Sequence, residues 1–499
     1  MRRHTTVIPA LAALVALALL SIALAADGAA ERVSVASDGG EANGLSNAAW
    51  VSADGRFIAF ASDATNLVPD DNNNNRDIFV HDRLNGTTER VSLASDGAEG
   101  NALSFRPAIS GDGRYVAFRS DSNNLVTDDT NDASDSFVRD RLAGATQRVS
   151  IASGGAQGND DSLTPSISAD GRYVTFTSLA NNLVPGDAND DRDVFLHDRN
   201  TGETELISQA TDGTQGNFAS GGLGAGPARI SADGRYVVFG SFASTLVTDD
   251  MNLKDDSFLR DRQNGTTERV SVGQGGIEGD NHSFYPSVSD DGRYVAFTSA
   301  AQNLTTVDAN SANDVFLRDR QAGTTVRISD APGGAQGNGS SDFATISAGG
   351  GVIAFESDAD NLVAGDGNGA TDIFVYRLAS GESEGVSISG DGASSAVAIS
   401  GAGEVVAFQS DATDLVPDDG NGVTDVFVRS DPPPAVATPT PSPIPSPIPS
   451  PIQLPITGTG LEGDDGVDPL LWGAILLAVA GVAIAATLVA LRHARRRHI

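Results

Sequence analysis

The chain has 499 residues, enough for several ordinary domains, and no cysteine, so no disulfide framework holds it. Its 66 acidic residues outnumber 32 basic ones, for a net charge of −34, and Lys254 is its one lysine. Such acidity repels phosphate backbones and excludes nucleic acid as a partner.

At the N-terminus, Arg2, Arg3 and His4 precede an apolar run over residues 7–24, and Ala23-Leu24-Ala25 is a small-residue cleavage site. Residues 1–25 therefore read as a secretory signal peptide, with an uncleaved membrane anchor as the competing reading. The body that follows is expected outside the cell.

Residues 26–430 carry a repeat. The phrase Ser-Ala-Asp-Gly-Arg-(Phe/Tyr)-x-Ala-Phe, or a close variant, occurs seven times. Its Asp column falls at Asp54, Asp112, Asp170, Asp233 and Asp291, then at Gly349 and Ala402, in steps of 58, 58, 63, 58, 58 and 53 residues. A fixed period marks a unit that cannot bury its own apolar surface and must stack on its copies.

The third unit shows the expected elements. Residues 165–168 read as a short strand and Asp170-Gly171 as a tight hairpin turn. Residues 173–177 form a strand apolar on both faces, as when neighbours cover both sides. After a polar loop come strands at 193–197 and 205–208, joined by Asn200-Thr201-Gly202. Four antiparallel strands in a meander, repeated radially, predict an all-β fold: a seven-bladed β-propeller.

The phase of the repeat predicts its closure. Fourth-strand phrases begin at Glu31, Glu89, Gln147, Glu205, Glu268, Val326 and Glu384, and third-strand phrases at Asp77, Asp135, Asp193, Asp256, Asp314, Asp372 and Asp425. The body thus opens on a fourth strand and stops after a third. Residues 32–35 are expected to complete the last blade beside Val426-Phe427-Val428, which removes an open edge. The motifs resemble the WD-repeat-like blades of the TolB family, with a consensus near Pro-Ser-x-Ser-x-Asp-Gly-x-x-(Ile/Val)-Ala-Phe, over about residues 31–430. That resemblance implies the propeller and favours protein partners, but says little about activity.

Loops of a meander blade alternate between two faces. The Asp-Gly and Asn-Gly-Thr turns share a plain face. The other face carries the loops between second and third strands, which repeat Asp-x-Asn-x-x-x-Asp. These are Asp71/Asn73/Asp77, Asp129/Asn131/Asp135, Asp187/Asn189/Asp193, Asp250/Asn252/Asp256, Asp308/Asn310/Asp314, Asp366/Asn368/Asp372 and Asp419/Asn421/Asp425. Side-chain oxygens at positions 1, 3 and 7 resemble the start of a calcium loop, and an all-oxygen set suits Ca²⁺ over zinc. The position-6 glycine of an EF-type loop is missing, and Asp198, twelfth from Asp187, sits about 16 Å along a strand. Water or a neighbouring loop would supply the remaining ligands. The competing reading is that these residues make Asx turns leading into a strand.

Inter-blade loops end in Asn101, Asn159, Asn217, Asn281 and Asn338. They read as left-handed turns or as a ring of amides suited to glycans. The pairs Asp82-Arg83, Asp140-Arg141, Asp198-Arg199, Asp261-Arg262 and Asp319-Arg320 are expected to make blade-to-blade ion pairs. Single-copy features are His282 with Glu278, Asp280 and Tyr285, and the glycine-rich insertion at 221–226. His81 and His197, where other blades have Arg, read as surface variation. No Gly-x-Ser-x-Gly elbow, cysteine nucleophile or histidine-rich metal site occurs.

Residues 431–453 are a proline-rich spacer whose alternating-proline stretch, Pro432 to Pro451, reaches about 60 Å at roughly 3.1 Å per residue. Leu454-Pro455-Ile456-Thr457-Gly458 follows, then an acidic gap, an uncharged apolar stretch at 470–491 and a basic tail at 492–499 with Arg492, Arg495, Arg496 and Arg497. The stretch is long enough to span a bilayer as a C-terminal transmembrane helix, with the tail cytoplasmic. The order of parts resembles the LPXTG sorting signal of sortase substrates. That implies cleavage between Thr457 and Gly458 and attachment to cell wall. A simple single-span anchor is the competing reading.

The sequence thus predicts an extracellular, wall- or membrane-anchored, non-enzymatic propeller, stabilised by Ca²⁺, that engages a protein or glycan ligand through its acidic loop face. The alternative is a secreted glycan-active lyase or hydrolase. A third possibility is a structural module without a dedicated ligand.

Overall fold

The structure, a computed structural model, describes residues 28–430 apart from positions 223 and 307. The signal segment 1–25, spacer 431–453, sorting motif Leu454, Pro455, Ile456, Thr457 and Gly458, span 470–491 and tail 492–499 lie outside the described residues. Among the described residues no helix is long and apolar enough to cross a membrane.

Alternation of apolar residues and Asp-Gly turns gives seven four-stranded antiparallel sheets. Blade three, for instance, comprises Ser162–Ile167, Tyr173–Ser178, Asp193–Asp198 and Glu203–Leu206. Blades one to six run in chain order from Ser46. Blade seven joins Ser394–Ile399, Val405–Ser410 and Asp425–Ser430 to the N-terminal strand Ala30–Arg32. Glu31 pairs with Val428, so the ring is closed by the first strand as the repeat phase predicts. The boundary differs: the strand begins at Ala30 and ends at Arg32 rather than covering 32–35. The Val33 N–H still donates to Val426 O at 2.8 Å, but Ser34 then turns its hydroxyl to Asp425 Oδ1 at 2.5 Å.

Each blade places one phenylalanine of its second strand directly opposite one of its third, as in Phe60 with Phe79 and Phe176 with Phe195. The seven pairs stack with centroids 5.7–6.0 Å apart. Offset stacking adds to the burial of these large side chains, so every blade carries the same aromatic centre.

Blades meet tightly at the plain face. Gly171 has φ +72, and a Cβ there would stand 2.1 Å from Cδ2 of Tyr115 in the preceding blade. Only glycine satisfies both the turn and that approach. The turns are also linked in series: Ala53 N to Gly111 O, Gly111 N to Ala169 O and Ala169 N to Ala232 O, at 2.9–3.0 Å. The Asp-Arg pairs divide their work. The aspartate bonds an arginine of its own blade, as Asp198 does Arg172. The arginine crosses to the preceding blade, as in Arg83–Glu31, Arg141–Glu89, Arg262–Glu205 and Arg320–Glu268.

First strands of adjacent blades neighbour one another and line the central channel. Six of them carry a bulge whose residue has positive φ: Ala48, Arg106, Thr164, Tyr285, Phe343 and Ala396. Bulges re-aim side chains. In blade four the inserted glycines replace this arrangement, and the first strand is only Arg229–Ile230.

Candidate binding face

The repeated loops fold identically because each asparagine is used on both sides. Its Oδ1 accepts the backbone N–H two residues on, at 2.7–3.1 Å, in all seven loops. Its Nδ2 donates to a carbonyl of the adjoining inter-blade loop, from Gly100 in blade one to Ala42 in blade seven, at 2.8–3.0 Å. Asn73, Asn131, Asn189, Asn252, Asn310, Asn368 and Asn421 therefore make Asx turns and tie the two loop sets to one face. The second aspartate of each loop is buried, and its Oδ1 accepts a serine hydroxyl, such as Ser92 to Asp77 and Ser208 to Asp193, at 2.5–2.8 Å.

Carboxylates so placed need neutralisation. In five blades a fourth-strand arginine provides it. Arg90 reaches Asp71, Asp77 and Glu99, and Arg148 reaches Asp129 and Asp135. Arg269, Arg327 and Arg32 occupy the same place beside Asp250 and Asp256, Asp314, and Asp419 and Asp425. Asp308 instead accepts Gln336 Nε2 at 2.8 Å. Burial still pushes Asp135, Asp193, Asp250, Asp256, Asp314 and Asp419 up to about 6.

Two blades lack the guanidinium. In blade three Leu206 stands there, and Gln215 Nε2 donates to Asp187 Oδ1 and Asp193 Oδ2, both at 2.7 Å. In blade six Gly385 stands there. Among the described residues no arginine or glutamine reaches Asp366, which burial and the charge of Asp372 raise above its usual range. Two acid groups, Glu41/Asp419/Asp425 and Asp250/Asp256/Glu278, have oxygens close enough to hold one metal ion. Each of them also surrounds its blade's arginine.

The single-copy histidine is not gathered with the partners its sequence neighbourhood offered. His282 Nδ1 lies 2.9 Å from Asp255 Oδ2. Glu278 holds Arg269, Asp280 accepts the Gln302 N–H, and the Tyr285 ring lies against Phe343, centroids 4.1 Å apart. His282 instead stacks on Phe242, whose edge meets Phe218. Phe218 and Phe242 are 46% and 39% exposed, and Met251 and Leu253 in the same blade are 81% and 69% exposed. Large apolar groups at such exposure interrupt the polar loop face in this blade. The sequence signal for this patch was the 63-residue step. Ser220 bridges Ser241 and the Gly221 N–H donates to Gly240 O at 2.8 Å, where the other blades have their first strand.

Two expectations are corrected. His81 and His197 are buried rather than surface variants, each with Nδ1 2.9 Å from a fourth-strand threonine hydroxyl. Burial lowers both, His197 to about 4. The asparagines Asn101, Asn159, Asn217, Asn281 and Asn338 have no positive φ. Asn101 and Asn159 instead cross-link adjacent loops through Asn123 and Asn181.

No profile of a known protein family matches the chain. No curated protein matches it. Among solved structures, TolB from Acinetobacter baumannii is similar at 13% identity and TM-score 0.36, over 68% of this chain and 62% of that one. This chain thus covers under two thirds of that TolB. An oligogalacturonate lyase in complex with manganese aligns at 12% identity and TM-score 0.47, over 82% and 94%. The β-propeller domain of the trilobed protease from Pyrococcus furiosus aligns at 11% and 0.47, over 77% and 95%. The seven-bladed assignment rests on this chain's own strand order.

Proposed function

We propose that the chain is a non-enzymatic binding module, displayed outside the cell on its proline-rich spacer, that engages a protein or glycan ligand through the loop face. The observation that carries this is the exposed Phe218–Phe242–His282 stack set among acidic loops. Rigid aromatic faces beside polar groups suit both a sugar ring and an apolar side chain. The lyase or hydrolase reading has less support, since Asp255 is the one carboxylate bonded to His282 among the described residues.

Calcium belongs to the same proposal. The loops that lack an arginine, Asp366 with Asp372 and Asp187 with Asp193, are where a cation meets least competition from a guanidinium. Wall attachment through Leu454, Pro455, Ile456, Thr457 and Gly458 is proposed from the sequence.

The test is a glycan-array and purified-protein binding screen with the full chain, repeated with Phe242→Ala and Phe218→Ala. Leu142→Ala, an 80% exposed position on the plain face, is the control. Binding should fall at least tenfold in the phenylalanine variants and stay unchanged in the control. A ligand bound equally by all three removes the loop face from consideration.

A further inference from the structure

In a chain this acidic, two arginines in the channel stand without acid partners. Arg106 is the exposed bulge residue of Ser104–Ile109 in blade two, and Arg229 lies in the short first strand of blade four. Among the described residues neither guanidinium donates a hydrogen bond nor meets a carboxylate at ion-pair distance.

Arg229 has one defined contact: its Cζ stands 4.7 Å from the ring of Trp50. Trp50 belongs to blade one, on the opposite side of the ring, so the two side chains meet across the channel. They hold the same strand register, Trp50 opposite Ala59 and Arg229 opposite Val238. The other blades have Ala108, Ser166, Ser287, Thr345 and Ala398 there. Large side chains in two opposing blades and small ones elsewhere make a floor.

First strands run from the loop face toward the Asp-Gly turns, so Arg106, Tyr285 and Phe343 lie nearer the loop-face mouth than this floor. Desolvation pushes the Arg229 guanidinium down to about 10, and the positive charge of Arg106 adds to that effect, which brings the two cations into one environment. Tyr285 feels the charge of Arg106 and, with opposite sign, those of Asp342 and Glu356. Both are already engaged, Asp342 by Ser340 and Asn313, and Glu356 by the Ala396 N–H.

We propose that the channel binds the oxyanion group of a ligand, a carboxylate, phosphate or sulfate, between Arg106 and Arg229 above Trp50. Two guanidinium forks without acid partners match such a group in shape and charge, and it relieves the repulsion that the desolvated Arg229 feels from Arg106. The acidic loops around the mouth disfavour a polyanion, so the ligand class is one anionic group on a neutral or cationic body. This site is separate from the aromatic patch.

Trp50 makes the test direct. The chain has 2 tryptophans, Trp50 and Trp472. In the full chain carrying Trp472→Phe, Trp50 emission is titrated with inorganic phosphate, sulfate and acetate, each against chloride at matched ionic strength. A saturable change specific to one or more oxyanions is expected. It should weaken at least tenfold in Arg106→Gln, whose exposed position leaves the melting temperature unchanged, and likewise in Arg229→Met. Which anion saturates first names the group. No saturable change, an equal response to chloride, or an unaltered response in Arg106→Gln overturns the proposal.

Discussion

The guanidinium of Arg262 lies 4.5 Å over the ring of Tyr173 in the preceding blade, and Arg172 lies 4.6 Å from the same ring. The arrangement recurs at Phe57, Tyr115 and Tyr236. Arg262 also donates to Gly234 O at 2.5 Å and pairs with Glu205. Arg262→Ala removes all three contacts and should cost about 2 kcal/mol in denaturant unfolding. Glu205 is nearly half exposed, so Glu205→Gln should cost at most about 0.5 kcal/mol. Equal losses would show that the ion pair, not the stack, holds this junction.

Gly171→Ala should be among the most damaging single changes, about 3 kcal/mol or more. It combines a positive φ with a Cβ placed inside the Tyr115 ring. Gly202 has φ +76 with nothing within 4 Å, so Gly202→Ala should cost only about 1 kcal/mol. Thermal melts of the two variants separate backbone strain from blade-to-blade collision.

The ring is locked by few residues, so a proline there should open it. Val33→Pro removes the N–H that bonds Val426 O and is expected to lower stability by about 2 kcal/mol, with earlier proteolysis near both ends of the body. Val33→Thr keeps that bond and should lose less. Indistinguishable variants would mean that the closure contributes little.

Blade three carries opposing titrations on one strand. His197 sits at about 4 folded against 6.5 unfolded, so the unfolded chain takes its proton first and stability falls as pH drops from 6.5 toward 4. Asp193 sits at about 6 against 3.8, so the folded chain takes the proton first and stability is lost as pH rises through 6. His197→Gln removes the first effect. Its stability at pH 5 relative to pH 7.5 should improve by about 2 kcal/mol over the parent. An unchanged pH profile would contradict the buried neutral imidazole.

Millimolar Ca²⁺ at pH 7.5 should raise the melting temperature, and less so at pH 5, where Asp193, pushed up to about 6, holds its proton. Asp366→Asn should reduce the shift, whereas Asp129→Asn, beside Arg148, should not. No calcium shift at either pH would end the calcium proposal.

Much of the fold was legible because repetition multiplies weak signals. One Asp-Gly turn is ambiguous, but five of them, with Gly349-Gly350 and Ala402-Gly403 in the same phase at steps of 53–63 residues, specify a blade, and the out-of-phase ends specify the closure. The loops were legible in residue type and less so in role. Asn73 and Asp77 looked like ligands, yet Arg90, thirteen residues beyond Asp77, fills the space between the acids. Nothing in the spacing says that a fourth-strand side chain folds back under its own loop.

The sequence by itself determined the blade, the count of seven, the closing strand and which loops share a face. All of these follow from local turn chemistry and periodicity. The tertiary structure decided how charges and rings meet between blades: Arg262 on Tyr173, Phe242 on His282, and Trp50 against Arg229. Trp50 and Arg229 are 179 positions apart in a chain whose period relates every blade to its neighbour, not to the one opposite. Only closing the ring brings blades one and four to face each other across a common axis.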